Sequence, residues 1–261
     1  MEERELRRDG RRIGELRSIS FLRNYTRYAE GSVLACFGET KVICTASVEE
    51  KVPSFLRGTG QGWVSAEYAM LPRATAQRTF RSTTRGGVNG RSCEIQRLIG
   101  RALRSSVDLS LLGERMIWLD CDVIQADGGT RTAAISGSFV ALFDALRKLW
   151  RNGIIESIPI RSFLAAVSAG KIHGTVCLDL CYEEDSSAEV DCNVVMNSKG
   201  ELVEIQGTGE QGTFARSELN SMLDIVEQGI YKIMDIQARA LSITSEERHA
   251  CVGKNDYICE R

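Results

Sequence analysis

The sequence predicts an α+β fold: a duplicated unit of strands followed by a long helix, in a single domain. Three observations carry this. Apolar residues run in short strand-like stretches bounded by glycine turns. They recur at a spacing of 3.6 in three longer segments. The order strands, turns, strands, helix also occurs twice, in halves of about 1–155 and 156–242. No Pro/Gly/Ser-rich linker separates the halves, so they are read as one domain over 1–242, followed by a polar tail over 243–261.

In the first half, "GSVLACFGETKVICTASVEE" reads as a hairpin, with residues 33–37 and 41–46 flanking a short turn at Gly38. "GWVSAEYAMLP" is a further strand that ends at Pro72. "RATAQRTFRSTTRGGVNG" has no apolar periodicity and reads as an exposed loop. In "RSCEIQRLIGRALRSSVDL", Ile95, Leu98, Ile99, Ala102 and Leu103 share one helical face, with Arg97, Arg101 and Arg104 toward the other sides. The apolar run "MIWLDCDVI" then leads to "AISGSFVALFDALRKLW", which is spaced like an amphipathic helix.

The second half begins near Pro159. "FLAAVSAGKIHGTVCLDLCYEED" alternates strand-like runs with glycine turns, and His173 reads as a turn residue. "AEVDCNVVMNSKGELVEIQGT" is a strand, a turn at Asn197-Ser198-Lys199-Gly200, and a strand. A long helix closes the half, with Ser217 as its expected N-cap. The tail after Ser242, which holds His249, is expected to lack order. Trp63 and Tyr68 are expected in the core.

Composition excludes several classes. No apolar run approaches the roughly 20 residues of a membrane span, and the charged start "MEERELRRDGRRIGELR" has no apolar stretch of a secretory signal. The nine cysteines show no C-x-x-C spacing and sit singly in apolar stretches, so a zinc site and a disulfide scaffold are both disfavoured. A reducing cytoplasm is the expected compartment. The net charge of −2 says little, but its distribution is uneven. Eight arginines and one acid lie in residues 73–104, and six acids with no lysine or arginine in residues 174–198. Arginine's planar fork suits phosphate oxygens. The pattern suggests a polyanion site beside a metal or acid/base site, although two solvated faces of opposite sign would read the same way.

Two stretches carry chemistry. "QADGGTRTA" places two glycines, a threonine and an arginine at the mouth of a helix. A helix start exposes unsatisfied N–H groups, glycine lets the backbone approach an anion, and arginine adds a bidentate donor. A second arginine, Arg91, opens the preceding helix. On physics alone, a phosphate site and a capped turn with its arginine in water fit equally. "EEDSSAEVD" holds Asp185 and Asp191. A turn between them would let both carboxylates meet one Mg²⁺ or one of them protonate a leaving oxygen. Taken alone, the pair reads first as an acidic hairpin in solvent.

Together these stretches have a close counterpart. The sequence resembles the ribonuclease PH family, phosphate-dependent 3′-exoribonucleases of transfer RNA processing. The likeness runs from "RDGR" through "GETKVICTASVE", "AEYAMLPRAT", "GRSCEIQRLIGRALRSSVDL", "GERMIWLDCDVIQADGGTRTA" and "LDLCYEEDSSAEVDCNVVM" to "EIQGTGE". The departures are small: Cys192 stands where a methionine is expected, and the C-terminal tail is long.

The resemblance implies the family's fold, of the ribosomal protein S5 domain 2-like type. It implies that Arg91, Gly129, Thr130 and Arg131 hold the attacking phosphate. Asp185 and Asp191 would serve as metal ligand and acid with Mg²⁺ (or Mn²⁺), and Arg73, Arg78 and Arg81 would contact transfer RNA. Inorganic phosphate would be the co-substrate, RNA 3′ ends the substrate, and a homohexamer, a trimer of dimers, the assembly. The reaction implied releases nucleoside 5′-diphosphates and runs both ways. The alternatives are an exosome-type ring subunit, either active only with a partner chain or a non-catalytic RNA binder.

Overall fold

The computed structural model describes residues 7–81 and 90–253, which form two sheets with two long helices between them. The first sheet holds β1 (Ile19–Arg23), β2 (Gly31–Phe37), β3 (Thr40–Glu49), β4 (Trp63–Met70) and β5 (Met116–Gln125), in the order β1-β2-β3-β5-β4. The expected hairpin is β2–β3, paired antiparallel about the turn at Gly38. β4 lies parallel to β5, and parallel neighbours need a crossover. Here α1 (Gly90–Ser105) lies in that connection, so one βαβ unit sits inside a half that the sequence suggests is free of them.

The second sheet is antiparallel throughout: β6 (Leu164–Ile172), β7 (Thr175–Leu178), β8 (Val190–Asn197) and β9 (Leu202–Gly209), in the order β7-β6-β8-β9. His173 and Gly174, at φ +48° and +77°, make the tight turn between β6 and β7, as the sequence suggests. A single helical turn, α3 (Tyr182–Asp185), replaces the crossover of the first half. Each sheet is followed by a long helix, α2 (Thr130–Arg151) after the first and α4 (Arg216–Leu241) after the second.

α2 is the centre of the molecule. It packs against β2, β3 and β5 on one side and against β6 and β8 on the other. Seventeen of its twenty-two residues are therefore buried, and the amphipathic helix of the sequence is a helix covered nearly all round. Small residues make this possible. A Cβ at Gly137 would lie 2.7 Å from the Ala35 side chain and 2.8 Å from Cys44 Sγ, so only glycine lets the helix approach the first sheet. Phe139 and Phe143 face the second half and meet Phe163 with centroids 5.0 and 6.3 Å apart. Truncating such a phenylalanine costs about 3–5 kcal/mol.

Two expectations are corrected at the C-terminal side. α4 begins at Arg216, and Ala215 takes the cap position in place of Ser217; its N–H donates to Glu218 at 2.7 Å. The tail is also ordered further than its polarity suggests. Ser245–Ala250 forms α5, capped by Thr244, whose hydroxyl accepts from the Glu247 N–H at 3.2 Å while Glu247 accepts from the Thr244 N–H at 3.0 Å. Glu247 is buried and pairs with Arg147 at 2.9 Å and Arg151 at 2.7 Å, tying α5 to the last turns of α2. Among the described residues, no helix is long and apolar enough to cross a membrane.

Candidate active site

The first turn of α2 faces a cleft of about 720 Å³ between the two halves. The chain leaves β5, turns at Gly128 and Gly129 with φ +74° and +62°, and enters the helix at Thr130. Two successive left-handed residues exclude ordinary side chains here. The orphan N–H groups and positive end of α2 thus lie at the cleft wall.

Six of the residues singled out in the sequence line this one cleft: Arg91, Gly129, Thr130, Arg131, Asp185 and Asp191. Arg91 comes from the first turn of α1 and Arg131 from that of α2. Asp185 ends α3, and Asp191 lies on β8. Arg131 donates to Gln206 Oε1 on β9 at 2.9 Å, so a strand of the second sheet orients a side chain of the first half. Thr130 Oγ1 shares a hydrogen bond of 2.8 Å with the hydroxyl of Tyr68. Tyr68 is a core residue, as expected, but its polar tip supports the helix start.

The two aspartates sit in an environment that resists their ionisation. Burial raises the Asp185 carboxyl above the usual carboxylate range, against the opposing charges of Arg131 and Arg91. Burial, followed by the charge of Asp185, carries Asp191 up to about 6, opposed by Arg131 and by Asn193. Asn193 Nδ2 donates to both Asp191 oxygens, at 3.2 and 3.0 Å, and fixes the carboxylate plane. A divalent ion fits this donor set. Two hard oxygen ligands that repel each other suit Mg²⁺, which takes one or two carboxylates and completes its shell with water and substrate phosphate. No group of three or more His, Cys, Asp or Glu side chains placed to hold a metal occurs among the described residues.

The three loop arginines lie apart from this group. Arg73, Arg78 and Arg81 are exposed and do not line the cleft, and Arg78 stacks over the Phe80 ring at 5.7 Å. Their loop nevertheless forms the rim, because Thr75, Gln77 and Thr79 do line it. Arg85, in the same basic block, lies outside the described residues.

Sequence reasoning missed Asp127, Ser168, Asn193 and Gln206. A signal existed for Asn193: it follows Asp191 by two on a strand, and such residues share a face. None existed for Gln206, whose contact with Arg131 spans 75 residues.

Comparison with known proteins identifies the family. The family model "3' exoribonuclease family, domain 1" matches residues 15–148, and "domain 2" matches residues 162–229. The chain is 57% identical over 237 residues to the ribonuclease PH of Bacillus cereus (strain AH820) and of Bacillus anthracis (strain A0248), covering 90% of this chain and 97% of each relative. Among solved structures, rice (Oryza sativa) Rrp46 superposes with a TM-score of 0.73 at 19% identity, covering 90% of this chain and all of that one. The Archaeoglobus fulgidus exosome with RNA bound gives a TM-score of 0.75 at 22% identity, covering 89% and 92%. Two family models in tandem and this level of identity along nearly the full length decide the matter: the chain belongs to the ribonuclease PH family of 3′ exoribonucleases.

Proposed function

We propose that the chain is a phosphate-dependent 3′-to-5′ exoribonuclease that trims transfer RNA precursors and releases nucleoside 5′-diphosphates. The observation that carries this is the convergence of an anion-binding helix start, two arginines and two aspartates in one cleft. Its relatives at 57% identity are ribonucleases PH, whereas rice Rrp46 and the archaeal exosome structure are only 19–22% identical and support the fold alone. All four charged groups are present in this one chain, which favours self-sufficient catalysis over a non-catalytic ring subunit.

Arg91, Arg131 and the backbone at Gly129 and Thr130 clamp inorganic phosphate in line with the terminal 3′,5′-phosphodiester. An oxygen of that phosphate forms a bond to the phosphorus as the bond to the 3′ oxygen of the preceding nucleotide breaks. Asp185, whose burial favours the protonated form, gives its proton to that oxygen, directly or through water. The terminal nucleotide departs as a 5′-diphosphate, and the RNA keeps a free 3′ hydroxyl. Asp191 would hold Mg²⁺ (or Mn²⁺) while Asp185 carries the proton, and the ion would supply positive charge against the phosphoryl oxygens. The chain's contribution is positioning and fixed positive charge. The bond made resembles the bond broken, so excess diphosphate drives nucleotide addition.

Arg73, Arg78 and Arg81 hold the body of the transfer RNA at the rim. The assembly is a homohexamer, a trimer of dimers, and the compartment is the cytoplasm. The deciding experiment is a 3′-extended RNA incubated with the purified chain, with and without phosphate. Nucleoside diphosphates that appear only with phosphate are expected. Monophosphates released in phosphate-free buffer would overturn the mechanism.

A further inference from the structure

The loop that turns into α2 is held from beneath by a buried ion pair. Arg17 precedes β1, and its guanidinium grips Asp179 with two bonds, Nε to Oδ2 at 3.1 Å and Nη2 to Oδ1 at 2.7 Å. The Arg17 N–H donates to the same carboxylate at 2.8 Å. Asp179 is fully buried and Arg17 nearly so. Asp179 holds φ +53°, a conformation rarely adopted by residues other than glycine.

The rest of that guanidinium serves the loop. Nη1 donates to the carbonyl oxygen of Asp127, and Nη2 lies 3.5 Å from the carbonyl oxygen of Gly128. Buried Thr40 joins in. Its hydroxyl donates to the same Gly128 oxygen at 2.6 Å and accepts from the Asp127 N–H at 2.9 Å. In a trans, planar peptide the C=O and the following N–H point in opposite directions. Fixing the carbonyls of Asp127 and Gly128 toward Arg17 and Thr40 therefore turns the N–H groups of Gly128 and Gly129 the other way.

The same support reaches the acid. Asp179 heads the short segment that ends in Asp185. The loop presses on that segment: a Cβ at Gly128 would lie 2.5 Å from the Leu180 carbonyl oxygen and 2.9 Å from the Tyr182 nitrogen. Asp127 Oδ1 accepts from the Tyr182 N–H at 3.1 Å. One guanidinium thus sets both the loop and its spacing from α3. Lysine could not replace it, because a point charge with three donors cannot span a carboxylate and two carbonyls in one plane.

We propose that Arg17, with Asp179 and Thr40, is a positioning residue for phosphate. It touches no substrate. It fixes the peptide planes at 127–129 so that their amides face the anion. The proposal rests on the reading of this loop as the phosphate site, and the test separates the two.

Initial rates on a 3′-extended RNA are measured against inorganic phosphate for Thr40→Val, Arg17→Lys and Arg131→Ala, with melting temperatures in parallel. Thr40→Val keeps the side-chain shape, so it carries the test if Arg17→Lys fails to fold. Both are expected to raise the phosphate concentration for half-maximal rate about tenfold while leaving that for RNA within about twofold. A merely structural role would lower the melting temperature and the active fraction and leave the phosphate requirement alone; that result overturns the proposal. If Arg131→Ala raises the requirement and Thr40→Val does not, the phosphate site stands and the positioning role falls. If Arg131→Ala also changes nothing, the loop is not the phosphate site and both fall.

Discussion

Arg131 and Gln206 meet at 2.9 Å across the cleft, one from the first turn of α2 and the other from β9. The amide oxygen holds a guanidinium without neutralising it, which leaves its charge for an anion. Gln206→Glu would place a carboxylate there to compete with phosphate. We expect Gln206→Ala to raise the phosphate requirement by up to about tenfold, the scale of one hydrogen bond, and Gln206→Glu to raise it further. Rates against phosphate concentration check this, and equal values for the two variants would refute competition.

Asp185→Asn keeps size and removes the proton. Turnover is expected to fall by about two or more orders of magnitude, the range of general acid catalysis, with RNA affinity nearly unchanged. Single-turnover rates and binding isotherms measure the two separately. Near-normal turnover would remove Asp185 from the chemistry.

Asp191 makes stability depend on pH. Its carboxyl stands at about 6 in the folded protein, raised by burial and by Asp185, against about 3.9 in an unfolded chain. Between those values the folded state binds more protons, so stability falls as pH rises through that window, and the cost is fully present above it. Asp191→Asn should therefore stabilise the metal-free protein at pH 7.5, on the order of 1–3 kcal/mol, with the gain fading by pH 4. Melting curves in chelator across this range are the measurement. No gain at pH 7.5 would contradict the strained pair.

Glu247 sits at the opposite end of α2 from the cleft, roughly 30 Å along the helix axis at 1.5 Å per residue. Its removal leaves buried Arg147 with Asp144 as its one remaining carboxylate partner among the described residues, beside the Leu241 carbonyl oxygen. Glu247→Ala is expected to cost about 3 kcal/mol, as for a buried charge losing a partner, and to leave the rate per folded molecule unchanged. Urea unfolding with activity on the folded fraction would show both.

For Arg73, Arg78 and Arg81, replacement by alanine should weaken precursor transfer RNA and spare a short single strand. The slope of log affinity against log salt should flatten by about two units if all three meet phosphates. Equal losses on both RNAs would place the loop at the chemical centre or in a subunit contact.

The sequence made some parts of the molecule plain and concealed others for physical reasons. The β2–β3 hairpin, α1 and α4 were legible because each buries one face and so has a period. α2 was legible as a helix but not as a buried one, since the sheet that covers its second face lies 13 residues or more beyond its end. β1 was missed because it is a short edge strand with Phe21 its only buried residue. The tail's overall polarity hides its order, although "TSEE" spells a capping box at Thr244 and Glu247. Each predicted phosphate or carboxylate residue reached the cleft. Their supports did not show, because Arg17 to Asp179 and Arg131 to Gln206 are contacts of the fold and not of the local chain.

That long reach has a consequence in time. Arg17 leaves the ribosome 162 residues ahead of Asp179, an interval of roughly 10–30 s at ordinary rates of synthesis. Until then Arg17 lacks the carboxylate that anchors it beneath the loop before α2, and α2 itself lacks the second sheet that shields it. The half-made protein is an apolar helix on one sheet, a species for chaperones rather than a nuclease. Catalytic competence is thus withheld from nascent and truncated chains, and no separate inhibitor is needed to keep an unfinished enzyme from RNA.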